Sequence, residues 1–296
     1  MLYNNLSGYF RKKYGKRLGK ICIDGGFSCP NRDGTAGFGG CIFCGERGAG
    51  EHIDAKHSIR EQVLSALSEA REGEKFVAYF QNFTNTYADM EILKERYDAA
   101  LFDERVVALA IGTRPDCIDE EKASLIASYK KRCDVWVELG LQTASDEVAE
   151  LFGRGYKTEV FERAARILEK HGIPVVAHVI VGLPGDGADG IKKTVDFLTR
   201  VPIWGLKIHS IYVMRGTRLS LMYERGKYTP PTLEEYAECA AYILSHTRPD
   251  VVIHRLTGDC PRDMLIAPEW NRDKHAVIEK IVSVMEKRGL SQGSSL

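Results

Sequence analysis

Short apolar runs alternate with longer amphipathic segments along most of the chain. Continuous apolar runs such as 76–80 and 106–111 are typical of strands buried on both faces of a parallel sheet. Between these runs, apolar residues recur at helical spacing, as at Ile59, Val63 and Leu67. The predicted strands are 21–23, 76–80, 106–111, 135–142, 175–181 and 206–213, with a short seventh at 251–253.

Capping signals predict where several helices begin. Ser58 with Glu61, and Thr232 with Glu235, have the spacing of a capping box. Asp119 is placed to cap a third helix. Further helices are predicted around residues 93–101, 160–171, 191–198 and 273–288.

Six strand–helix units in succession predict a parallel sheet with right-handed crossovers. Such units can form a partial (βα)6 barrel of the TIM type, in which the chemistry lies in the loops after the strands. The polar and glycine-rich segments of this chain do follow the predicted strands. We therefore expect an α/β protein with a basic N-terminal extension at 1–20 and the partial barrel at 21–256. A C-terminal extension at 257–296 is expected to end in a helix and a flexible tail from Gly289.

The composition is that of an ordinary globular protein. Of the 296 residues, 44% are hydrophobic and 28% are charged, which is enough for a full core. The formal net charge is zero, so the charge of the whole molecule favours no class of partner. The N-terminus has no apolar signal segment, and no run is long enough to cross a bilayer. We therefore expect a cytoplasmic protein without a membrane partner.

Eight cysteines without a secretory signal indicate a reducing compartment rather than a disulfide framework. Five of them are scattered along the chain, and free cysteine is commonly a small buried side chain. We predict that these five are packing residues: Cys22, Cys117, Cys133, Cys239 and Cys260.

The first 20 residues carry basic side chains and no acidic one. The aromatic residues Tyr9, Phe10 and Tyr14 lie among them. Cations that meet phosphates and rings that stack on bases are typical of a nucleic-acid contact. A solvated, partly frayed terminus is the alternative interpretation. The candidate nucleic-acid contacts are Arg11, Lys12, Lys13, Lys16 and Arg17.

Three thiols follow the first predicted strand at C-x11-C-x2-C spacing, at Cys29, Cys41 and Cys44. Thiolates are ligands for zinc and for iron–sulfur clusters. A structural zinc site usually has four protein ligands, so a zinc-stabilised nucleic-acid-binding module would need His52 or His57 as the fourth. A cluster held by three thiolates would instead leave one iron open for another ligand.

A three-cysteine loop after the first strand of a six-unit βα chain resembles the radical S-adenosylmethionine (SAM) superfamily. The stretch Asp24-Gly25-Gly26-Phe27-Ser28-Cys29-Pro30-Asn31-Arg32-Asp33-Gly34 is similar to the YhcC-like group. That group is related to the radical SAM domain of the Elongator catalytic subunit. The resemblance covers roughly residues 5–270, and we do not expect the acetyltransferase domain of the Elongator subunit in a chain of this length.

The resemblance implies that Cys29, Cys41 and Cys44 hold a [4Fe–4S] cluster that cleaves SAM reductively to a 5′-deoxyadenosyl radical. It also implies an external electron donor such as flavodoxin or ferredoxin. The loop 81–84 stands where the family has a Gly-Gly-Glu sequence, but it contains neither Gly nor Glu. The residues implied to contact SAM are Phe43, Gln81, Asn82, Thr84, Arg114, Gln142, Arg154, His178 and Gly182.

Three of these residues also have ordinary structural interpretations. Arg154 can cap a helix, Gln142 can fill a layer of the barrel, and His178 can be a hydrogen-bonded core histidine. Their positions at predicted strand ends favour function, because active sites in such barrels lie there.

The YhcC-like group has been linked to the wobble uridine of tRNA, whose carboxymethylaminomethyl side chain is trimmed to aminomethyl. The resemblance therefore implies tRNA as a partner and a hydrogen removed from the methylene beside the carboxylate. A basic contact for that carboxylate is expected, and the candidates are Lys207, Arg215 and Arg255. A small-molecule substrate is the alternative.

Overall fold

Seven parallel strands form one curled sheet in the computed structural model, which describes residues 2–48, 50, 53 and 56–296. The order in the sheet is β1-β2-β3-β4-β5-β6-β8, and a small antiparallel pair is formed by β7 and β9. The strands are β1 (Gly19–Ile23), β2 (Phe76–Phe80), β3 (Val106–Thr113), β4 (Asp134–Gln142), β5 (Val175–Val181), β6 (Gly205–Ser210), β7 (Val213–Met214), β8 (Val252–Arg255) and β9 (Leu265–Ala267).

Helices connect the strands of the main sheet. None of the helices in the described part of the chain is both long and apolar enough to span a membrane. The helices are α1 (Leu6–Tyr14), α2 (Ile59–Ser68), α3 (Met90–Ala100), α4 (Glu120–Ser128), α5 (Asp146–Leu151), α6 (Thr158–Lys170), α7 (Gly187–Leu198), α8 (Arg218–Glu224), α9 (Leu233–Ser245) and α10 (Lys274–Lys287), with 3-10 turns at Pro115–Cys117, Tyr129–Lys131 and Glu269–Arg272.

The predicted fold class, a TIM-like partial barrel of alternating strands and helices, is confirmed. Both capping boxes form, and the Asp119 side chain accepts a hydrogen bond from the Lys122 amide. The predicted strand 206–213 is too long, because β6 ends at Ser210. The Ser210 hydroxyl there donates to Asn271 Oδ1 at 2.7 Å and accepts from the Gly258 amide at 2.8 Å.

Side chains alternate between the two faces of each strand. On the outer face, residues such as Leu109 and Val137 pack against the helices in the main hydrophobic core. On the inner face, Trp136 and Val176 belong to a second apolar cluster near the amino ends of the strands. The inner positions further along the same strands include Glu138 and His178, and they line the candidate site described below.

Helix α1 packs against this inner cluster. Phe10 is 6% exposed, and its ring centroid lies 6.3 Å from that of Trp136. The Tyr9 ring lies 5.2 Å from that of Trp204. The expectation that these aromatic residues stack on nucleic-acid bases is therefore wrong for Phe10, because its ring is part of the core.

The predicted basic contacts of the N-terminal segment differ in their surroundings. Lys13 forms an ion pair with Asp134 at 2.6 Å, and Lys16 donates to the Gly73 carbonyl at 2.9 Å. The exposed members of the set also include Arg11, Lys12 and Arg17. The cations therefore point outward while the aromatic side chains point towards the barrel.

The C-terminal segment is joined to the N-terminal segment by hydrogen bonds. Gln292 is buried. Its backbone N–H donates to the Leu2 carbonyl at 2.9 Å, and its side-chain Oε1 accepts from the Asn4 backbone N–H at 2.8 Å. The tail predicted to be flexible from Gly289 is thus held at Gln292. The division at 1–20, 21–256 and 257–296 stays a prediction.

Candidate active site

A cavity of about 240 Å³ lies among the carboxyl ends of the strands of the main sheet. Its wall includes residues at or just after the ends of β2, β3, β4, β5 and β6, together with the cysteine loop. In parallel barrels this end of the sheet carries the active site. The cavity therefore occupies the position at which chemistry is expected.

Cys29, Cys41 and Cys44 all line this cavity. Asn31 fixes Cys41 by donating to its sulfur at 3.6 Å and to the Gly153 carbonyl at 2.6 Å. A hydrogen bond from Cys44 lowers the pKa of the Cys41 thiol, against the effect of burial. A lowered pKa favours the thiolate, which is the form that binds metals.

The backbone of the cysteine loop is held in place by arginine side chains. The Arg32 guanidinium donates to the Gly45 and Glu46 carbonyl oxygens. Arg218, at the start of α8, donates to the carbonyl of Gly40, a residue with φ of +74°. Glycine adopts this conformation without steric cost. The loop thus presents the three thiols to one cavity.

The thiols fit a multi-iron cluster better than a single zinc ion. In the described part of the chain, no group of three or more His, Cys, Asp or Glu side chains is arranged to hold one metal ion. His57 is exposed and does not line the cavity, and His52 lies outside the described residues. The zinc alternative therefore gains no support from these residues, whereas cysteine thiolates are the usual ligands of iron–sulfur clusters.

The loop after β2 contributes two of its three predicted contacts to the cavity wall. Gln81 and Thr84 line the cavity, but Asn82 does not. The buried Asn82 side chain donates to Asp24 Oδ2 at 2.7 Å. A Cβ on Gly50 would lie 1.4 Å from Asn82 Oδ1, so only glycine fits at that position. Asn82 therefore stabilises the loop through contacts within the protein and does not line the cavity.

Two non-glycine residues with positive φ also line the cavity. They are Phe83, at +59°, and Gln142, at +60°. Such a conformation costs about 1–2 kcal/mol per residue. Strain of this kind concentrates at functional sites. The strain therefore supports the same cavity as the site of function.

Arg154 is 1% exposed, and every N–H of its guanidinium is used by the protein. This arrangement leaves it no free donor and favours the structural interpretation, although its predicted contact with SAM stays untested. Its acceptors are the carbonyl oxygens of Leu141, Thr143 and Tyr156, the Asp146 carboxylate and the Thr158 hydroxyl, at 2.7–3.1 Å.

Replacing Arg154 by Lys should lower the free energy of unfolding by at least about 2 kcal/mol, because an ammonium group cannot satisfy five acceptors in this planar pattern, four of which belong to other groups than the partly exposed Asp146 carboxylate. The matched control is Arg166→Lys on the exposed face of α6, where Arg166 pairs with Glu162 at 2.8 Å. That change should cost less than about 0.5 kcal/mol. Denaturant unfolding of both variants measures the difference, and equal losses would contradict the structural role.

Arg114 keeps part of its donor capacity at the cavity. Its guanidinium makes two bonds to the Asp116 carboxylate, at 2.9 and 2.7 Å, and one to the Arg154 carbonyl at 2.9 Å. It also lies 4.7 Å from the centroid of the Tyr156 ring. Three bonds leave two of its five N–H groups for a ligand.

The remaining predicted SAM contacts also divide into residues that line the cavity and residues that do not. Phe43 and His178 line the cavity, and Gly182 does not. Gly182 has φ of +95°, and a Cβ there would lie 2.7 Å from atoms of Ile211 and Pro231. Packing therefore accounts for this glycine.

Ionisable side chains form the floor of the cavity, which we define as Tyr79, Glu138, His178, Lys207, His209 and Arg255. Lys207 Nζ bonds to Glu138 Oε2 and lies 3.2 Å from the Tyr79 hydroxyl. His178 Nε2 lies 2.8 Å from the same Glu138 oxygen. Burial opposes ionisation of Glu138, but the charge of Lys207 holds its pKa well below the ordinary value. Burial lowers the pKa of Lys207 to about 8.

Several residues that line the cavity were not predicted from the sequence. Glu138 was visible as a single acid within an apolar strand, two positions after Trp136. Tyr79, Tyr156 and His209 carried no comparable signal. Of the predicted carboxylate contacts, Lys207 and Arg255 line the cavity, whereas Arg215 is exposed and lies outside it.

Family models match most of the chain. The model of the radical SAM superfamily matches residues 31–198, and that of the radical SAM C-terminal domain matches residues 203–287. Together they cover the sheet from β2 onward, the cysteine loop from Asn31 onward, and α10.

Full-length relatives are found among bacterial proteins. The uncharacterised protein YtqA of Bacillus subtilis is 35% identical over 98% of this chain and 92% of its own length. YhcC of Escherichia coli is 33% identical over 100% of this chain and 96% of its own. A tRNA uridine(34) acetyltransferase of Methanocaldococcus jannaschii is 31% identical over 64% of this chain, but over only 34% of its own length.

The fold is also similar to that of a solved structure. Elp3 of Methanocaldococcus infernus, with its N-terminus deleted, superimposes with a TM-score of 0.71 at 22% identity. The match covers 93% of this chain and 64% of the Elp3 chain.

Proposed function

The chain belongs to the radical SAM superfamily, and on that premise we propose that it trims the carboxymethylaminomethyl side chain of a tRNA wobble uridine to aminomethyl. It is an enzyme of a family whose members bind a [4Fe–4S] cluster and SAM. The observation that carries the proposal is one cavity with three thiols on its wall and Lys207 and Arg255 on its floor.

Cys29, Cys41 and Cys44 would hold the cluster. When bound, the cluster supplies the electron that cleaves SAM, and the cleavage yields a radical able to remove a hydrogen atom that acid–base chemistry cannot. An external donor such as flavodoxin or ferredoxin would supply that electron. The residues that would position SAM in the rest of the cavity are Phe43, Gln81, Thr84, Arg114, Gln142 and His178.

Two observations support tRNA as the substrate. One is the partial sequence similarity to a tRNA uridine(34) acetyltransferase. The other is the set of exposed cations on and after α1, including Arg11, Lys12 and Arg17, which suits a phosphate backbone. The uridine would have to leave the base stack to place its side chain in the cavity, as in other enzymes that act on bases.

The proposal is tested by comparing modified nucleosides of tRNA from a strain that lacks this gene with those of its parent. The deletion strain should accumulate 5-carboxymethylaminomethyluridine and lose nucleosides derived from the aminomethyl form. Expression of the wild-type protein should restore the parental profile, and expression of the Cys41→Ala variant should not. An unchanged profile in the deletion strain would contradict tRNA as the substrate and favour a small molecule.

A further inference from the structure

We propose that the cavity floor binds a carboxylate group of the substrate through Lys207, Arg255 and His209. The proposal deepens the function proposed above and rests on it for the identity of the substrate. The carboxylate site itself is argued from the positions, charges and hydrogen bonds of the floor.

Strand register brings the three donors together. Lys207 of β6 is paired with His178 of β5 on one side and with Arg255 of β8 on the other. His209 is two residues beyond Lys207 and therefore lies on the same face of β6. Neighbouring strands are about 4.8 Å apart, so one small anion can reach donors from β6 and β8 together.

Cations exceed carboxylates at this floor. Lys207 has one buried carboxylate partner, Glu138. Arg255 lies 3.4 Å from Asp259, which is shared with Lys274. Lys20 adds a further positive charge, because its Nζ lies 5.2 Å from the centroid of the Tyr79 ring. Burial is the main cause of the lowered pKa of Lys207, the charge of Glu138 opposes it, and the charges of Arg255 and Lys20 add to it.

His209 supplies an independent indication of a ligand. Its Nε2 is buried and makes no hydrogen bond with any described residue. Burial, followed by the charge of Arg255, holds the pKa of His209 well below its ordinary value, so the ring is neutral. An unsatisfied buried polar atom is costly. In the tautomer with the proton on Nε2, this nitrogen would donate a hydrogen bond to an oxygen of a bound anion.

The balance of charges favours a carboxylate over a phosphate. Glu138 and Asp259 line the same cavity as Lys207 and Arg255. A dianion would be repelled by both carboxylates, whereas a monoanion leaves the floor near neutrality. The buried pair of Lys207 and Glu138 does not by itself indicate that Lys207 stabilises the fold, because desolvation of the two ions offsets their attraction.

The test is calorimetric titration of the full-length, cluster-loaded protein with sarcosine, with its primary amide (sarcosinamide) and with inorganic phosphate. Sarcosine has a methylene between an amine and a carboxylate, and the amide is its match without the negative charge. Sarcosine should bind at least about tenfold more tightly than the amide, because charge-assisted hydrogen bonds to the carboxylate are lost in the amide.

Two variants and one control locate the site. Lys207→Met combined with Glu138→Gln removes both members of the buried pair, so no lone charge is left in the core. This double variant and Arg255→Gln should each weaken sarcosine binding about tenfold or more. Arg215→Gln, outside the cavity, should leave binding unchanged. The unfolding midpoint of each variant, measured alongside, shows that a loss of binding is not a loss of fold.

Several results would overturn the proposal. They are an absence of sarcosine binding, equal binding of sarcosine and its amide, tighter binding of phosphate, or equal weakening by Arg215→Gln. Competition by SAM would assign the floor to the carboxylate of SAM instead. Because these titrations use no RNA, an unchanged tRNA nucleoside profile together with the expected sarcosine result would refute tRNA as the substrate and leave the carboxylate site standing.

Discussion

Replacing Cys41 by Ala should leave a soluble protein that cannot hold a complete iron–sulfur cluster. The three thiols of the loop face one cavity, and the described part of its wall contains no fourth cysteine. The loop itself is held by hydrogen bonds from Arg32 and Arg218, so the loss of one thiol should not unfold it. Iron and sulfide content should fall to a small fraction of wild type, and SAM cleavage should be abolished. The same result is expected for Cys29→Ala and Cys44→Ala.

The matched control is Cys133→Ala, which removes a thiol just before β4 and away from the cavity. Burial raises the pKa of Cys133 to about 11, as expected for a packing residue without a metal. Cys117→Ala and Cys239→Ala serve the same purpose. Anaerobic purification followed by iron and sulfide analysis compares all of them. A full cluster in the Cys41 variant, or an equal loss in the Cys133 variant, would refute the ligand assignment.

The strands and most of the main helices could be predicted because their signals are local. The bounds of β2 and β5 follow directly from continuous apolar runs between polar loops. The capping residues Ser58 and Thr232 mark helix starts through contacts only three residues away. The order of the units then leads to a parallel barrel, because right-handed crossovers leave few other arrangements.

The pairing of side chains within the cavity floor could not be predicted, because it depends on register between strands. Lys207 meets Glu138 across 69 positions of sequence, and Tyr79 across 128. No spacing within the sequence identifies such a pair. Arg154 poses a similar difficulty. The sequence around an arginine after a strand is the same whether its side chain faces a ligand or five protein acceptors.

Helix α1 shows that composition alone does not predict which residues share one surface. Its basic and aromatic residues suggested a single nucleic-acid surface, but they occupy opposite faces of one amphipathic helix. Leu6, Phe10 and Tyr14 recur every four residues and face the inner cluster. The exposed positions carry Arg11 and Lys12. The spacing of the aromatic residues, rather than their number, contained the information.

Replacing Phe10 by Ala should lower the free energy of unfolding by about 3–5 kcal/mol, as is usual for a large aromatic residue lost from a core. The ring packs among Trp136, Tyr9 and Tyr14, and its loss leaves a cavity at the amino end of the barrel. Denaturant unfolding measures this loss. A change below about 1 kcal/mol would show that α1 does not contribute to the core.

The matched variant replaces the exposed cations Arg11, Lys12 and Arg17 by Gln, and it should have the opposite profile. Its stability should change by no more than about 1 kcal/mol. Its affinity for tRNA should fall, and the salt dependence of binding should become flatter, because fewer counterions are released from the RNA. The Phe10 variant, measured where it remains folded, should keep both properties. Deletion of residues 1–17 cannot make this distinction, because it removes the buried rings together with the charges. Unchanged tRNA affinity in the triple variant would remove the N-terminal segment from the RNA contact and leave it only the packing role of Phe10.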